Sequence, residues 1–286
     1  MNVLSALFVA AMIAIASLAG CSPPGPDTIT VHVAGQDGGL RPIPARLCLP
    51  EGPGPARLVV INHGSPGNAA GRARYGLLPC DSALARHFLA RGQAVLAPLR
   101  RGYGADTGPW TEGFGPCASP DYVRAARETA RDIRAAIAAA RARPGLAPDG
   151  IAVIGQSAGG WGMLALAADP PPGVSAVIAV APGRGGRRDD LPNENCRPDR
   201  LAEDAGRLAA ERRPVALPLL WLHTPNDSFF GPELVAAMSA AHARAGGRAT
   251  LLQLPAFGQD GHDLFYARAG VPVWGPPVDA WLDTHP

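Results

Sequence analysis

The sequence predicts an α/β protein: a mostly parallel sheet of about eight strands with helices on both faces. Two observations predict it. Apolar runs of strand length recur along the chain, and longer segments with helical periodicity lie between the later ones. The runs at 58–61, 94–98, 151–154, 174–180, 217–222 and 250–254 are rich in Val, Ile, Leu and Ala, as strands buried on both faces should be. Two earlier runs, 28–33 and 46–49, alternate or read as edge strands.

The helical segments follow in order. Residues 81–91 form one. The clearest is 121–143, where Val123, Ala126, Ala130, Ile133, Ile137 and Ala140 recur three and four apart and Pro144-Gly145 stops the run. A third covers 161–168. The fourth, 232–245, opens on Pro232 and gives way to Gly246-Gly247, the usual asymmetry of helix ends. Residues 183–198 carry Arg184, Arg187 and Arg188 and read as a solvated loop, with contact to an acidic substrate group as the sharper alternative. No repeat or linker divides residues 28–286, so one domain is expected.

Composition excludes some functions. The chain has 286 residues, 47% of them apolar, with 35 glycines and 31 prolines, which suits a globular protein rich in turns. The net charge is +2 and the arginines are scattered, so no nucleic-acid partner is expected. Residues 3–18 are almost wholly apolar and run into Leu18-Ala19-Gly20-Cys21. That ending resembles the bacterial lipoprotein signal, although Met1-Asn2-Val3 lacks Lys and Arg. It implies a signal peptide over 1–20, a lipidated Cys21, a tether over 21–27 and a protein exported and anchored to the cell envelope. Four more cysteines remain, Cys48, Cys80, Cys117 and Cys196. They allow three disulfide pairings, or free thiols. Cys117 with Cys196 is favoured, because both belong to loops expected over the same face. No Cys-x-x-Cys or Cys–His spacing points to zinc, and no metal or cofactor is expected.

The chemistry is carried by Gly155-Gln156-Ser157-Ala158-Gly159. This is the G-x-S-x-G pattern, and it stands between a buried strand and a helix, where a tight turn would expose the Ser157 hydroxyl at the helix N-terminus. A nucleotide-binding turn would need G-x-G-x-x-G, which is absent. A serine nucleophile requires a base, and the base requires an orienting acid. Asp227 follows the strand at 217–222, and His262 follows the strand at 250–254. Asp260 and Asp263 are too local to orient His262, and His223 reads as a loop or core histidine. An oxyanion hole is expected from the N–H groups of Ser65 and Ala158; Pro66 has none to offer. His63 is expected to brace that loop. Tyr103 and Trp161, with Trp110 and Phe114, are candidates for a substrate pocket, against simple core packing.

Taken together, His63-Gly64-x-x-Gly67, Arg100-Arg101-Gly102-Tyr103-Gly104, Gly155-x-Ser157-x-Gly159, Asn226-Asp227-Ser228-x-x-Gly231-Pro232-Glu233 and Asp260-Gly261-His262 resemble α/β-hydrolases of the dienelactone hydrolase-like group. The resemblance spans about residues 58–265 and implies the α/β-hydrolase fold with Ser157, Asp227 and His262 as triad. Dienelactone hydrolases carry cysteine where this chain has Ser157, so the resemblance favours a serine carboxylesterase acting on a small-molecule ester. A prolyl oligopeptidase-like peptidase and a non-catalytic binding protein on the same scaffold are the alternatives. The first commonly adds a large propeller domain, for which this chain has no room. The second typically lacks a triad member, and none is lacking here.

Overall fold

The computed structural model describes residues 27–35, 37–105 and 108–285. The expected signal segment, Cys21 and the tether up to residue 26 lie outside the described residues. In chain order the elements are β1 (Asp27–Ala34), β2 (Leu40–Cys48), β3 (Arg57–Asn62), α1 (Ala69–Ala73), α2 (Ala83–Leu89), β4 (Gln93–Pro98), α3 (Tyr122–Arg141) and β5 (Ile151–Gln156). There follow α4 (Ala158–Ala168), β6 (Val174–Val180), α5 (Pro198–Ala210), β7 (Leu219–His223), α6 (Pro232–Arg244), β8 (Ala249–Gln253) and α7 (Val271–Thr284).

The eight strands form one sheet in the order β1-β2-β4-β3-β5-β6-β7-β8. β1 and β2 pair antiparallel, as do β2 and β4, and every later pairing is parallel. β2 begins well before the predicted 46–49. The reason is Pro42 and Pro44, which break the strand signal in sequence yet sit where only β1, and not β4, pairs with β2.

The parallel strands alternate between two cores. Leu58, Val60, Ile151, Val153, Val177 and Trp221 face α3, α4, α5 and α6. Val59, Ile61, Ala152, Ile154, Ile178 and Leu222 face α2 and α7. Both faces are covered, which is why these runs are apolar throughout. α3 buries the predicted stripe, and Ile133 and Ile137 are both fully buried; each such side chain contributes about 1.5–3 kcal/mol. Three helices went unpredicted. α1 is a single short turn, and α5 opens on Pro198 after a segment that reads as loop. α7 holds Pro276 and Pro277 inside it, residues that argue against a helix; burial of Trp274, Val278 and Leu282 against the sheet outweighs them.

Two disulfides, Cys48–Cys80 and the expected Cys117–Cys196, fit an exported protein in an oxidising compartment. Among the described residues no helix is long and apolar enough to cross a membrane. All the loops that matter below leave the C-terminal ends of parallel strands, the edge at which open α/β sheets bind ligands.

Candidate active site

β5 turns into α4 through Ser157 alone. Its backbone is left-handed at φ 55° and ψ −116°, a strained conformation for a residue with a side chain. The turn is held by Ser157 N–H donating to the Val180 carbonyl at 2.9 Å, and by Trp161 and Gly183 N–H donating to the Ser157 carbonyl. Two glycines make it possible. A Cβ on Gly155 would lie 2.4 Å from the Gly159 carbonyl, and one on Gly159 would lie 2.6 Å from the carbonyl oxygens of Asn62 and His63. The hydroxyl stands at the N-terminus of α4, where the helix dipole favours negative charge.

Asp227 lies in the loop after β7 and is 1% exposed. Its Oδ1 accepts from the N–H groups of Phe229 at 2.7 Å and Phe230 at 3.0 Å, so the turn itself satisfies the buried charge. The N-cap of α6 is Gly231, which frees Asp227 from that task. His262, in the loop after β8, places Nδ1 2.9 Å and 3.1 Å from the two Asp227 oxygens. A carboxylate accepts only, so Nδ1 carries the proton and Nε2 keeps a lone pair. Phe229 stacks on the imidazole with centroids 4.1 Å apart. Gln156, next to Ser157, donates from Nε2 to the His262 carbonyl at 3.2 Å.

Asp260, expected to be too local to orient the His262 ring, makes no hydrogen bond to the ring nitrogens among the described residues and braces the main chain instead. Its Oδ1 accepts from His262 N–H and Ser228 N–H, each at 3.0 Å, and its Oδ2 accepts from the Ser228 hydroxyl. One carboxylate thus fastens the Asp227 loop to the His262 loop. His223 is buried with neither ring nitrogen hydrogen-bonded among the described residues, and burial lowers its pKa. It is a core histidine.

The loop after β3 runs beside the elbow, where a Cβ on Gly64 would lie 3.3 Å from Ser157 Cβ. Neither Ser65 N–H nor Ala158 N–H is used by a loop or cap hydrogen bond among the described residues, so both are free for an acceptor. His63 braces this loop: Nδ1–H donates to the Gly64 carbonyl at 2.7 Å, and Nε2 accepts from Arg100 N–H at 3.2 Å. Burial, with the Arg100 guanidinium close by, pushes His63 down to about 3. Beneath it lies a buried ion network that sequence reasoning missed, because Arg100, Glu112 and Arg184 are far apart in the chain. Arg100 meets Glu112 with Nε at 2.6 Å and Nη2 at 3.0 Å, and Arg184 meets it at 2.9 Å. Thr129 and Tyr103 donate their hydroxyls to the same carboxylate.

Ser157, Ala158, Ser65, Trp110, Phe114 and Phe229 line a cleft of about 380 Å³. Two pocket expectations need correction. Tyr103 and Trp161 are fully buried and do not line it. Tyr103 is drawn inward by Glu112, and Trp161 by its indole N–H, which donates to the Tyr122 carbonyl at 2.8 Å. The arginine-bearing loop is likewise only partly solvated. Arg184 is buried in the ion network, Arg187 donates to Ser228 Oγ at 2.9 Å, and the exposed Arg188 pairs with Glu194 at 3.0 Å.

Residues 57–241 match the alpha/beta hydrolase fold family. Solved structures agree on the fold. A protein named as a dipeptidyl aminopeptidase IV from Bacteroides ovatus aligns with TM-score 0.63 and 18% identity over 91% of this chain, which spans only 36% of that protein. One named as a dienelactone hydrolase from Klebsiella pneumoniae aligns with TM-score 0.57 and 16% identity, over 91% of this chain and 99% of the other. An acetyl xylan esterase from Paenibacillus sp. R4 gives 0.58 and 17%, over 93% and 90%. No curated protein matches the sequence.

Proposed function

This chain belongs to the α/β-hydrolase fold family, and on that premise we propose that it is a serine hydrolase cleaving carboxylic esters through an acyl-enzyme on Ser157. The observation that carries the reading is the hydrogen bond from His262 Nδ1–H to the buried Asp227 at 2.9 Å, in a loop tied through Gln156 to the strained turn that presents Ser157. His262 Nε2 takes the Ser157 proton as Oγ attacks the ester carbonyl. The oxyanion is met by the Ser65 and Ala158 N–H groups; losing one such donor typically costs about 3–4 kcal/mol of transition-state stabilisation. The C–O bond then breaks and His262 protonates the departing alcohol. Water, deprotonated by the same imidazole, releases the acid and restores Ser157.

The substrate is a small ester with its acyl group in the cleft beside Ser157. Covalent labelling with a fluorophosphonate probe tests the reading. Labelling of the folded protein, lost in Ser157→Ala and on heat denaturation, is the expected result. A folded wild type that takes no label overturns it.

A peptidase is the second reading, favoured by the fold shared with the Bacteroides protein. Matched 4-nitrophenyl esters and 4-nitroanilides separate the two. Export with lipidation of Cys21 is part of the proposal, supported by Leu18-Ala19-Gly20-Cys21. Mass spectrometry of mature protein should find a diacylglycerol-modified N-terminal cysteine, and a free thiol there refutes the anchor.

A further inference from the structure

A second cavity, about 190 Å³, opens at the ends of β3 and β4 and shares no lining residue with the cleft beside Ser157. Its walls are apolar: Ile61, Leu77, Leu78, Ala97 and Leu99. The polar groups on it are few. His63 forms part of the wall, but both of its ring nitrogens are spent on the Gly64 carbonyl and the Arg100 N–H. Tyr75 and Tyr266 also line the cavity, and their phenols are close enough to each other to interact electrostatically. Neither hydroxyl has a hydrogen-bond partner among the described residues. Both phenols are raised above their usual pKa, that of Tyr75 chiefly by burial, so they stay neutral donors, while Tyr266 keeps 37% of its surface exposed.

The cavity lies close to the chemistry. β3 is the immediate neighbour of β5, and β4 the next, at about 5 Å per strand. His63 lines the cavity, and Gly64, the next residue, abuts Ser157 Cβ. Tyr266 stands four residues beyond His262 on the same loop. An ester bound at Ser157 keeps its acyl half on the serine, next to the free N–H groups of Ser65 and Ala158 in the larger cleft. Its leaving oxygen turns to His262, and the loop that carries His262 continues to Tyr266.

We propose that this cavity is the leaving-group subsite, and that it takes an uncharged aromatic alcohol with a polar substituent directed at Tyr75 and Tyr266. The proposal rests on the serine-hydrolase reading and narrows it to esters of small aromatic alcohols. Size fits: a cavity of about 150 Å³ in another protein holds benzene, and this one leaves room for a substituent. A charged ligand finds no counter-ion there: among the described residues no acidic or arginine side chain lines the cavity, and Arg100, whose charge reaches both tyrosines, is fully buried and committed to Glu112 and the His63 carbonyl.

Binding is tested apart from turnover. Phenol is titrated into the folded Ser157→Ala protein and followed by NMR. Saturable binding is expected and is lost when Leu78→Trp fills the cavity; hydroquinone, which adds a polar substituent opposite the leaving oxygen, should bind more tightly than phenol, and Tyr75→Phe with Tyr266→Phe should remove that advantage. The tyrosine pair keeps the test open if Leu78→Trp does not fold. In the active protein, Leu78→Trp should lower kcat/KM for phenyl acetate about tenfold or more relative to methyl acetate. No saturable phenol binding, or an unchanged ratio of the two acetates in folded Leu78→Trp, overturns the subsite. Failure of fluorophosphonate labelling is a different result, because it sinks the hydrolase reading while phenol binding is measured independently.

Discussion

Gln156 Nε2 donates to the main-chain carbonyl of His262 across 3.2 Å, so the residue that precedes Ser157, the proposed nucleophile, also helps to fix the main chain that carries the imidazole. Gln156 is 7% exposed and its Oε1 sits where a Cβ on Gly64 would fall. It therefore touches the elbow, the loop after β3 and the His262 loop at once. Gln156→Leu keeps the volume and removes the hydrogen bond. The expected result is a fall in kcat of roughly tenfold to a hundredfold from a misplaced imidazole, with KM little changed and the far-ultraviolet circular dichroism of wild type. Unaltered kcat would mean that Asp227, Asp260 and Phe229 position His262 without Gln156.

Asp227→Asn tests the tautomer. The amide can donate to Nδ1, which would move the ring proton to Nε2 and leave no lone pair facing the serine. A loss of about 10³–10⁴ in kcat is expected at unchanged fold, read from ester hydrolysis at fixed pH. A loss below tenfold would remove Asp227 from the proposed triad.

Glu112→Gln tests the ion network. Burial opposes the Glu112 charge, but Arg100 and Arg184 outweigh it and hold the carboxyl well below its usual range. Removing the charge leaves two buried guanidinium groups without their counter-ion. A loss of about 3–5 kcal/mol is expected, seen as a melting temperature lower by roughly 10 °C.

His63 and His242 make stability fall in acid. Burial lowers them to about 3 and about 4, from the unfolded 6.5. Between those values the unfolded chain binds protons that the folded one refuses. Stability is therefore full above about pH 6.5 and is lost as pH falls, at up to about 1.4 kcal/mol per pH unit for each histidine. His242→Leu should make the drop in urea midpoint from pH 7 to pH 5 shallower than in wild type. An equal drop in both proteins would count against His242 as a contributor.

Cys117–Cys196 closes a sequence separation of 79 residues and joins the loop that carries Trp110 and Phe114 to the arginine-bearing loop across the cleft. Replacing both cysteines with serine should cost about 2–4 kcal/mol. Because Cys196 lines the cleft, KM for esters with bulky acyl groups should rise several-fold while the Asp227–His262 pair is untouched. Equal KM in both proteins would show that the loops hold without the bond.

Some of this was legible in one dimension because it depends on local pattern. The parallel strands at 58–61 and 151–154 are apolar on both faces, and β3 and β5 are where they should be. The serine turn needs glycine at Gly155 and Gly159 whatever surrounds it, so the motif announces itself. Asp227 and His262 follow from chain order after late strands, and the structure brings them to 2.9 Å. The Cys117–Cys196 pair came from placing two loops over one face.

Other features waited for the tertiary structure. Tyr103 and Trp161 sit in motifs at the right edge of the sheet, yet which way a side chain turns depends on partners elsewhere in the chain. Glu112 claims the Tyr103 hydroxyl and the Tyr122 carbonyl claims the Trp161 indole. α7 forms in spite of Pro276 and Pro277 because a buried face against the sheet outweighs local propensity. Arg184 reads as a solvated cation until a carboxylate 72 positions earlier in the chain is found beside it. The sequence by itself determined the fold class and the strand ends that carry Ser157, Asp227 and His262, because periodicity and turn chemistry are local. The tertiary structure alone decided the buried network, the tie from Gln156 to His262 and the second cavity, because each joins residues that only folding brings within hydrogen-bond or van der Waals reach.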